Sequence, residues 1–187
     1  METAIVRPAK PGDLPAITAI YRPAVLTGTA TFETEPPDEA EMAARFAQIT
    51  GAGHPYLVAE EAGEVVGYAY ASWFRTRPAY RFTVEDSIYL SASAQGRGIG
   101  RRLLAELVTS CEAHGFRQMV AVIGDSGNIG SIALHRALGF QMCGTLPSTG
   151  FKLGRWLDTV LMQRALGEGA HSHPPGISLP RAEKDGR

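Results

Sequence analysis

The stretch Gln95-Gly96-Arg97-Gly98-Ile99-Gly100-Arg101 decides the reading of this chain. Its glycines let the backbone turn tightly and leave main-chain N–H groups uncovered. From there Ile99, Leu103, Leu104, Leu107, Val108 and Cys111 recur every three or four positions, which predicts a helix closed by Gly115. Residues 82–90, just before the turn, read as a strand. Strand, glycine turn and helix start together present unpaired amides at the positive end of a helix dipole, a setting that holds phosphate or pyrophosphate. A P-loop needs Gly-Lys-Ser/Thr, which is absent, and a dinucleotide fingerprint needs G-x-G-x-x-G early in a βαβ unit. Here the glycines stand at 96, 98 and 100, with several elements before them. A turn that merely starts a helix is the competing reading.

On the N-terminal side, residues 3–7 read as a strand and 13–25 as a helix with Asp13 near its N-cap and Leu14, Ile17, Ile20 and Tyr21 on one side. Asp38 followed by Glu41 opens a second helix with the stripe Met42, Phe46 and Ile49. Strands 56–60 and 65–73 flank Gly63 and predict a hairpin. On the C-terminal side, the apolar run 119–123 reads as a strand covered on both faces. A helix over 129–138 ends at Gly139, and strands near 140–145 and 155–163 complete the body. The order β-α-α-β-β-β-α-β-α-β-β predicts an α/β (mixed α+β) fold, a mixed sheet covered by helices.

The chain has 187 residues, enough for the core of one domain, which we place at 1–166. From Gly167 onward it is rich in Gly and Pro, so residues 167–187 are expected to be a mobile tail, with His171 and His173 solvated rather than bound to metal. Eighteen basic residues against 19 acidic ones make no phosphate-binding surface, which argues against nucleic acid as a partner. No run approaches the roughly 18 apolar residues of a membrane span, and the start of the chain has no signal-peptide pattern. Cys111 and Cys143 match no disulfide or metal spacing. These features predict a cytoplasmic, metal-free globular protein.

Gln95-x-x-Gly98-x-Gly100 resembles the acetyl-CoA signature Q/R-x-x-G-x-G/A of the GNAT family of N-acetyltransferases. Asn128, Ser131 and His135, followed by Leu138-Gly139-Phe140, are similar to that family's N-x-x-S/A…Y-x-x-L-G-F segment. The likeness covers about residues 3–164 and is greatest to phosphinothricin and methionine sulfoximine acetyltransferases. It is carried there by Thr31-Phe32-Glu33-Thr34-Glu35-Pro36, Tyr80-Arg81-Phe82-Thr83-Val84-Glu85, Ala121-Val122-Ile123-Gly124 and residues 150–158. The resemblance implies a GNAT-type fold, a central twisted, mostly antiparallel mixed sheet with helices on both faces. It also implies acetyl-CoA as co-substrate, a small amino-acid-like acceptor and a homodimer with the last strands near its interface.

Acetyl transfer to an amine needs a deprotonated nitrogen, a place for the developing oxyanion and a proton for the departing thiolate. Strand alternation puts Glu85, Ser87 and Tyr89 on one face and Asp86, Ile88 and Leu90 on the other. Glu85 is the candidate base; an edge carboxylate facing solvent is the plainer reading, and the family match favours the base. His135 stands where most of the family has Tyr, as acid, second base or structural residue. Tyr89 is a candidate contact to the thioester. By resemblance Ile88, Tyr89, Leu90, Gln95, Gly96, Arg97, Gly98, Ile99, Gly100, Arg101, Asn128 and Ser131 bind the cofactor, although Asn128 and Ser131 also suit helix capping. Pro78 biases Arg77 toward an extended conformation, so Arg75 and Arg77 are placed to grip an acidic acceptor together. Tyr80, Phe32 and Ser87 complete the expected acceptor site. The predicted activity is acetylation of the free α-amino group of an analogue such as L-phosphinothricin or L-methionine sulfoximine or sulfone. Another small amine, a peptide N-terminus or a non-catalytic acyl-CoA sensor are the alternatives.

Overall fold

The structure, a computed structural model, describes residues 4–174. In chain order it contains β1 (Ile5–Pro8), α1 (Leu14–Leu26), α2 (Glu39–Gly51), β2 (Tyr56–Glu61), β3 (Glu64–Trp73), β4 (Thr83–Leu90), α3 (Ile99–Ala113), β5 (Gln118–Gly124), α4 (Ile129–Ala137), β6 (Gln141–Lys152) and β7 (Arg155–Ala165). The seven strands form one sheet in the order β1-β2-β3-β4-β5-β7-β6. Only β4 and β5 run parallel, and their pairing stops at Asp86↔Ala121. Beyond that point β4 continues to Leu90 against β3 alone. The two strands therefore part in the middle of the sheet, and the backbone edge of residues 87–90 has no strand beside it.

Alternation along β3 and β4 divides the sheet into two unlike faces. Small residues, Ala59, Ala69, Ala71 and Ala121, lie fully buried under α3, whose Leu103, Leu104, Leu107 and Cys111 fill one core. The absence of bulk on the strands lets the helix approach closely. Aromatic residues fill the other face, where Tyr56, Tyr68, Tyr21 and Met42 pack with α1 and α2. Tyr68 stacks on Tyr89 at 5.3 Å and Tyr21 meets Tyr89 edge-on at 4.8 Å. As expected, helices cover both faces and Asp38 caps α2, its carboxylate accepting from Glu41 N–H at 2.8 Å.

Two strand boundaries need correction. The strand expected near 140–145 runs on through Lys152, because β7 pairs with it in three stretches separated by two register shifts. The shift between Leu146 and Gly150 takes Pro147, Ser148 and Thr149 out of the ladder, which an edge strand tolerates because its outer side has no partner to lose. The strand expected from residue 3 starts at Ile5, and residue 3 itself lies outside the described residues. At the other end, residues 167–170 of the expected tail form turns, and contacts to the body continue to His173. Arg117 donates to the Ser172 hydroxyl at 2.9 Å and the His173 carbonyl at 3.3 Å, and Leu166 is fully buried. The remainder, 175–187, lies outside the described residues.

Candidate active site

The gap between β4 and β5 opens into a cleft of about 940 Å³. Its floor is the free edge of β4 at residues 87–90, one wall is the start of α3, and the opposite wall is α1 with Ala16, Ala19 and Ala24. At the head of the cleft, Gly96 and Gly98 have φ of +70° and +79°, conformations that a side chain would strain. Gly98 is the N-cap of α3 and no side chain caps the helix, so its first amides are left for a ligand. At Gly100 a Cβ would press on the Leu90 side chain, 3.1 Å from its Cδ1. An unpaired strand edge leading to an uncapped, glycine-lined helix start fits a long ligand with amides in its arm and phosphates at its end, as in acetyl-CoA.

Not every residue of the turn contributes a side chain. Arg97 is turned away into an ion pair with Glu61 at 2.6 Å, and Ile99 is 2% exposed in the α3 core. Both offer the cleft only their backbone, whereas Gln95 and Arg101 line it directly. Asn128 caps α4 by accepting from Ser131 N–H at 3.2 Å and also lines the cleft, so capping and ligand contact coincide.

Glu85 stands at the point where β4 and β5 begin to part, paired in register with Ser72 and Val120. Burial raises its pKa from the ordinary 4.5 to about 7, the negative charge of Asp86 adds to the rise, and Arg75 opposes it. A carboxylate that ionises near neutrality suits proton abstraction from an ammonium. Arg75 is thus within electrostatic reach of Glu85, with its guanidinium 4.5 Å above the Phe74 ring. Tyr80 meets the same ring edge-on at 5.9 Å. Arg77 is extended at φ −70° and ψ 137°, as Pro78 requires, and leads into the short 3-10 turn Pro78–Tyr80.

His135 lies on the other side of the sheet from Glu85. It is 2% exposed, with Nε2 2.9 Å from Asp86 Oδ2 and Nδ1 2.7 Å from the Ser131 carbonyl. A carbonyl on one side and a carboxylate on the other favour the doubly protonated ring, in which both nitrogens donate. Burial pushes its pKa down, but the hydrogen bond and charge of Asp86 outweigh this and the net shift is upward. The structure therefore brings His135 to the cleft wall beside Ser131 and separates it from Glu85 by the thickness of the sheet. Asp86 is a site residue that sequence reading missed. Alternation assigns it to the α4 side, but nothing local links it to a histidine 49 positions later.

The loop between α1 and α2 arches over the far end of this gap. A Cβ at Gly124 would come within 2.2 Å of the Thr29 carbonyl, and one at Gly150 within 2.2 Å of the Phe32 ring. Phe32, 38% exposed, is thereby seated on β6 rather than in either core.

Comparison with known proteins agrees with this geometry. The Acetyltransferase (GNAT) family matches residues 17–140. The phosphinothricin N-acetyltransferase of Alcaligenes faecalis is 56% identical over 169 residues, covering 90% of this chain and 86% of that protein. An L-methionine sulfoximine/L-methionine sulfone acetyltransferase of Pseudomonas aeruginosa is 45% identical over 163 residues, 86% of this chain and 94% of that one. Among solved structures, a phosphinothricin acetyltransferase from Sinorhizobium meliloti in complex with AcCoA is 62% identical and superposes with a TM-score of 0.90 over 94% of this chain and 95% of that chain. Cleft, strand splay and sequence converge: the chain belongs to the GNAT family of acetyltransferases.

Proposed function

We propose that this enzyme transfers the acetyl group of acetyl-CoA to the free α-amino group of a small amino-acid analogue, with L-phosphinothricin and L-methionine sulfoximine or sulfone as the acceptor class. The observation that carries the reading is Glu85, a carboxylate raised to about 7 where β4 and β5 part, within electrostatic reach of Arg75 and one residue before Asp86, which lines the cleft. Acetyl-CoA, when bound, supplies the acetyl group as a thioester. Glu85 takes the proton of the acceptor's ammonium, directly or through one water, and frees the nitrogen lone pair for attack. Arg75 and Arg77 hold the acceptor's acidic groups, with Tyr80 and Phe32 enclosing its stem. The unpaired β4 edge at Ile88 and Leu90 supplies N–H donors for charge on the carbonyl oxygen. His135, already holding two ring protons, suits the acid that protonates the leaving thiolate. Acetylation removes the amine's charge and with it the recognition of the analogue as an amino acid, a detoxifying step.

A homodimer formed through the β6–β7 end of the sheet is part of this reading. Phe151, Leu153 and Trp156 are 53–62% exposed there, and Leu146 and Met142 are exposed farther along the same edge strand. Such a patch favours burial against a second copy. A cytoplasmic setting suits the unpaired thiols of Cys111 and Cys143. We keep residues 1–166 as the catalytic domain and 167–187 as an appended segment. The test is acetyl-CoA-dependent thiol release with L-phosphinothricin and L-methionine sulfoximine beside ordinary amino acids and a peptide amine. Rapid release with the first two is expected; release only with the peptide overturns the acceptor assignment, and tight acetyl-CoA binding without turnover overturns catalysis.

A further inference from the structure

Lys152 is the last residue of β6, at the hairpin into β7, and is 4% exposed, whereas its neighbours Phe151 and Leu153 are 60% and 53% exposed. Alternation at the strand end sends its stem inward, under the loop between α1 and α2. There Nζ donates to the Thr31 carbonyl at 2.7 Å and to the Ala24 carbonyl at 3.2 Å. Burying an ammonium on two neutral carbonyls is costly unless the contact fixes something. The carboxylate whose charge reaches it, Glu33, is itself held by Arg45 at 2.7 Å.

Both carbonyls matter to the site. At the end of α1, Thr27 and Gly28 both direct their N–H groups to the Pro23 carbonyl, which leaves the Ala24 carbonyl to Lys152. The ammonium thus caps the C-terminus of α1 from across the sheet, where a cation also opposes the helix dipole. Ala24 is part of the wall of the acetyl-CoA cleft. Thr31 precedes Phe32, and its hydroxyl is 2.9 Å from that of Tyr21, which meets Tyr89 edge-on. Two residues before Lys152, Gly150 gives the Phe32 ring its seat. The end of β6 therefore grips the loop at two adjacent residues, Thr31 through the Lys152 ammonium and Phe32 through the bare backbone of Gly150.

We propose that Lys152 is a positioning residue that holds the loop between α1 and α2, and Phe32 with it, over the acceptor, and so sets which acceptors bind. This rests on the reading of Phe32 as an acceptor contact. It goes beyond that reading by naming what fixes the ring, a cation that touches neither substrate.

The test is steady-state kinetics of K152M, F32A and the double variant with L-phosphinothricin and L-methionine sulfoximine, alongside the acetyl-CoA Kd of each. K152M is expected to raise acceptor KM about tenfold or more, while kcat and acetyl-CoA Kd stay within about threefold. In the F32A background the same change is expected to add less than about twofold. Independent, multiplicative effects in the double variant overturn the proposal, as does an equal loss of affinity for both ligands. F32A with unchanged acceptor KM overturns the Phe32 contact itself; F32A raised with K152M unchanged overturns only the role of Lys152. Should K152M fail to fold, K152Q, which removes the cation and shortens the reach to the two carbonyls, carries the same comparison: a rise in acceptor KM without loss of kcat supports the role, and unchanged kinetics overturn it.

Discussion

Replacing Glu85 by Gln tests the site twice, through stability and through rate. In the unfolded chain this carboxyl ionises near its ordinary 4.5, and in the folded protein near 7. Between those values the unfolded state gives up the proton first, so stability falls as pH rises from about 4.5 to 7 and the penalty is complete above 7. At about 1.36 kcal/mol per pH unit the full rise corresponds to about 3 kcal/mol. Glu85 is partly in contact with water, and screening reduces this to about 1–2 kcal/mol. E85Q should therefore be more stable than wild type by about 1–2 kcal/mol at pH 8 and equal to it at pH 4. Urea unfolding at both values measures this. In the same protein kcat/KM should fall by about 10²–10⁴-fold, because the base is gone while the shape is kept. The wild-type rate should rise tenfold per pH unit below 7 and level off above it. A variant within a few-fold of wild type that still binds acetyl-CoA would refute Glu85 as base. A wild-type profile breaking near 4.5 would refute the raised pKa.

Three further outcomes follow from the geometry. R75A and R77A should each raise acceptor KM by about 10–100-fold, the worth of a lost charge-assisted hydrogen bond, with acetyl-CoA Kd unchanged by calorimetry. Removing His135 leaves Asp86 buried without its partner, so H135A should lose about 3–5 kcal/mol near neutral pH. Because the His135 pKa is raised on folding, that contribution is full below about 6.5 and fades as pH rises through the folded value, which denaturation of wild type and H135A across pH 6–9 would show. W156D should convert the expected dimer to a monomer in light scattering, since Trp156 is 62% exposed on the β6–β7 hairpin.

Much of this enzyme is legible along the chain because its decisive signals are local. The periodicity of α3, the Asp38 cap, the hairpin at Gly63 and the glycine turn each depend on residues within a few positions of one another. Alternation along β4 was also sufficient to place Glu85 and Asp86 on opposite faces. The full course of β6 was not legible, since the expected strand lay near 140–145, and only β7 alongside supplies the ladder that carries it on to Lys152. Likewise Arg97 belongs to the turn by sequence, but Glu61, 36 residues earlier, takes its guanidinium. The histidine needed Asp86, 49 positions away, before its protonation was decided, and Lys152 needed carbonyls 121 and 128 positions away before it had any role. Local pattern determines which elements form and which faces they bury. The state of a buried charge depends on the partners that close around it, and only the folded sheet brings those partners together.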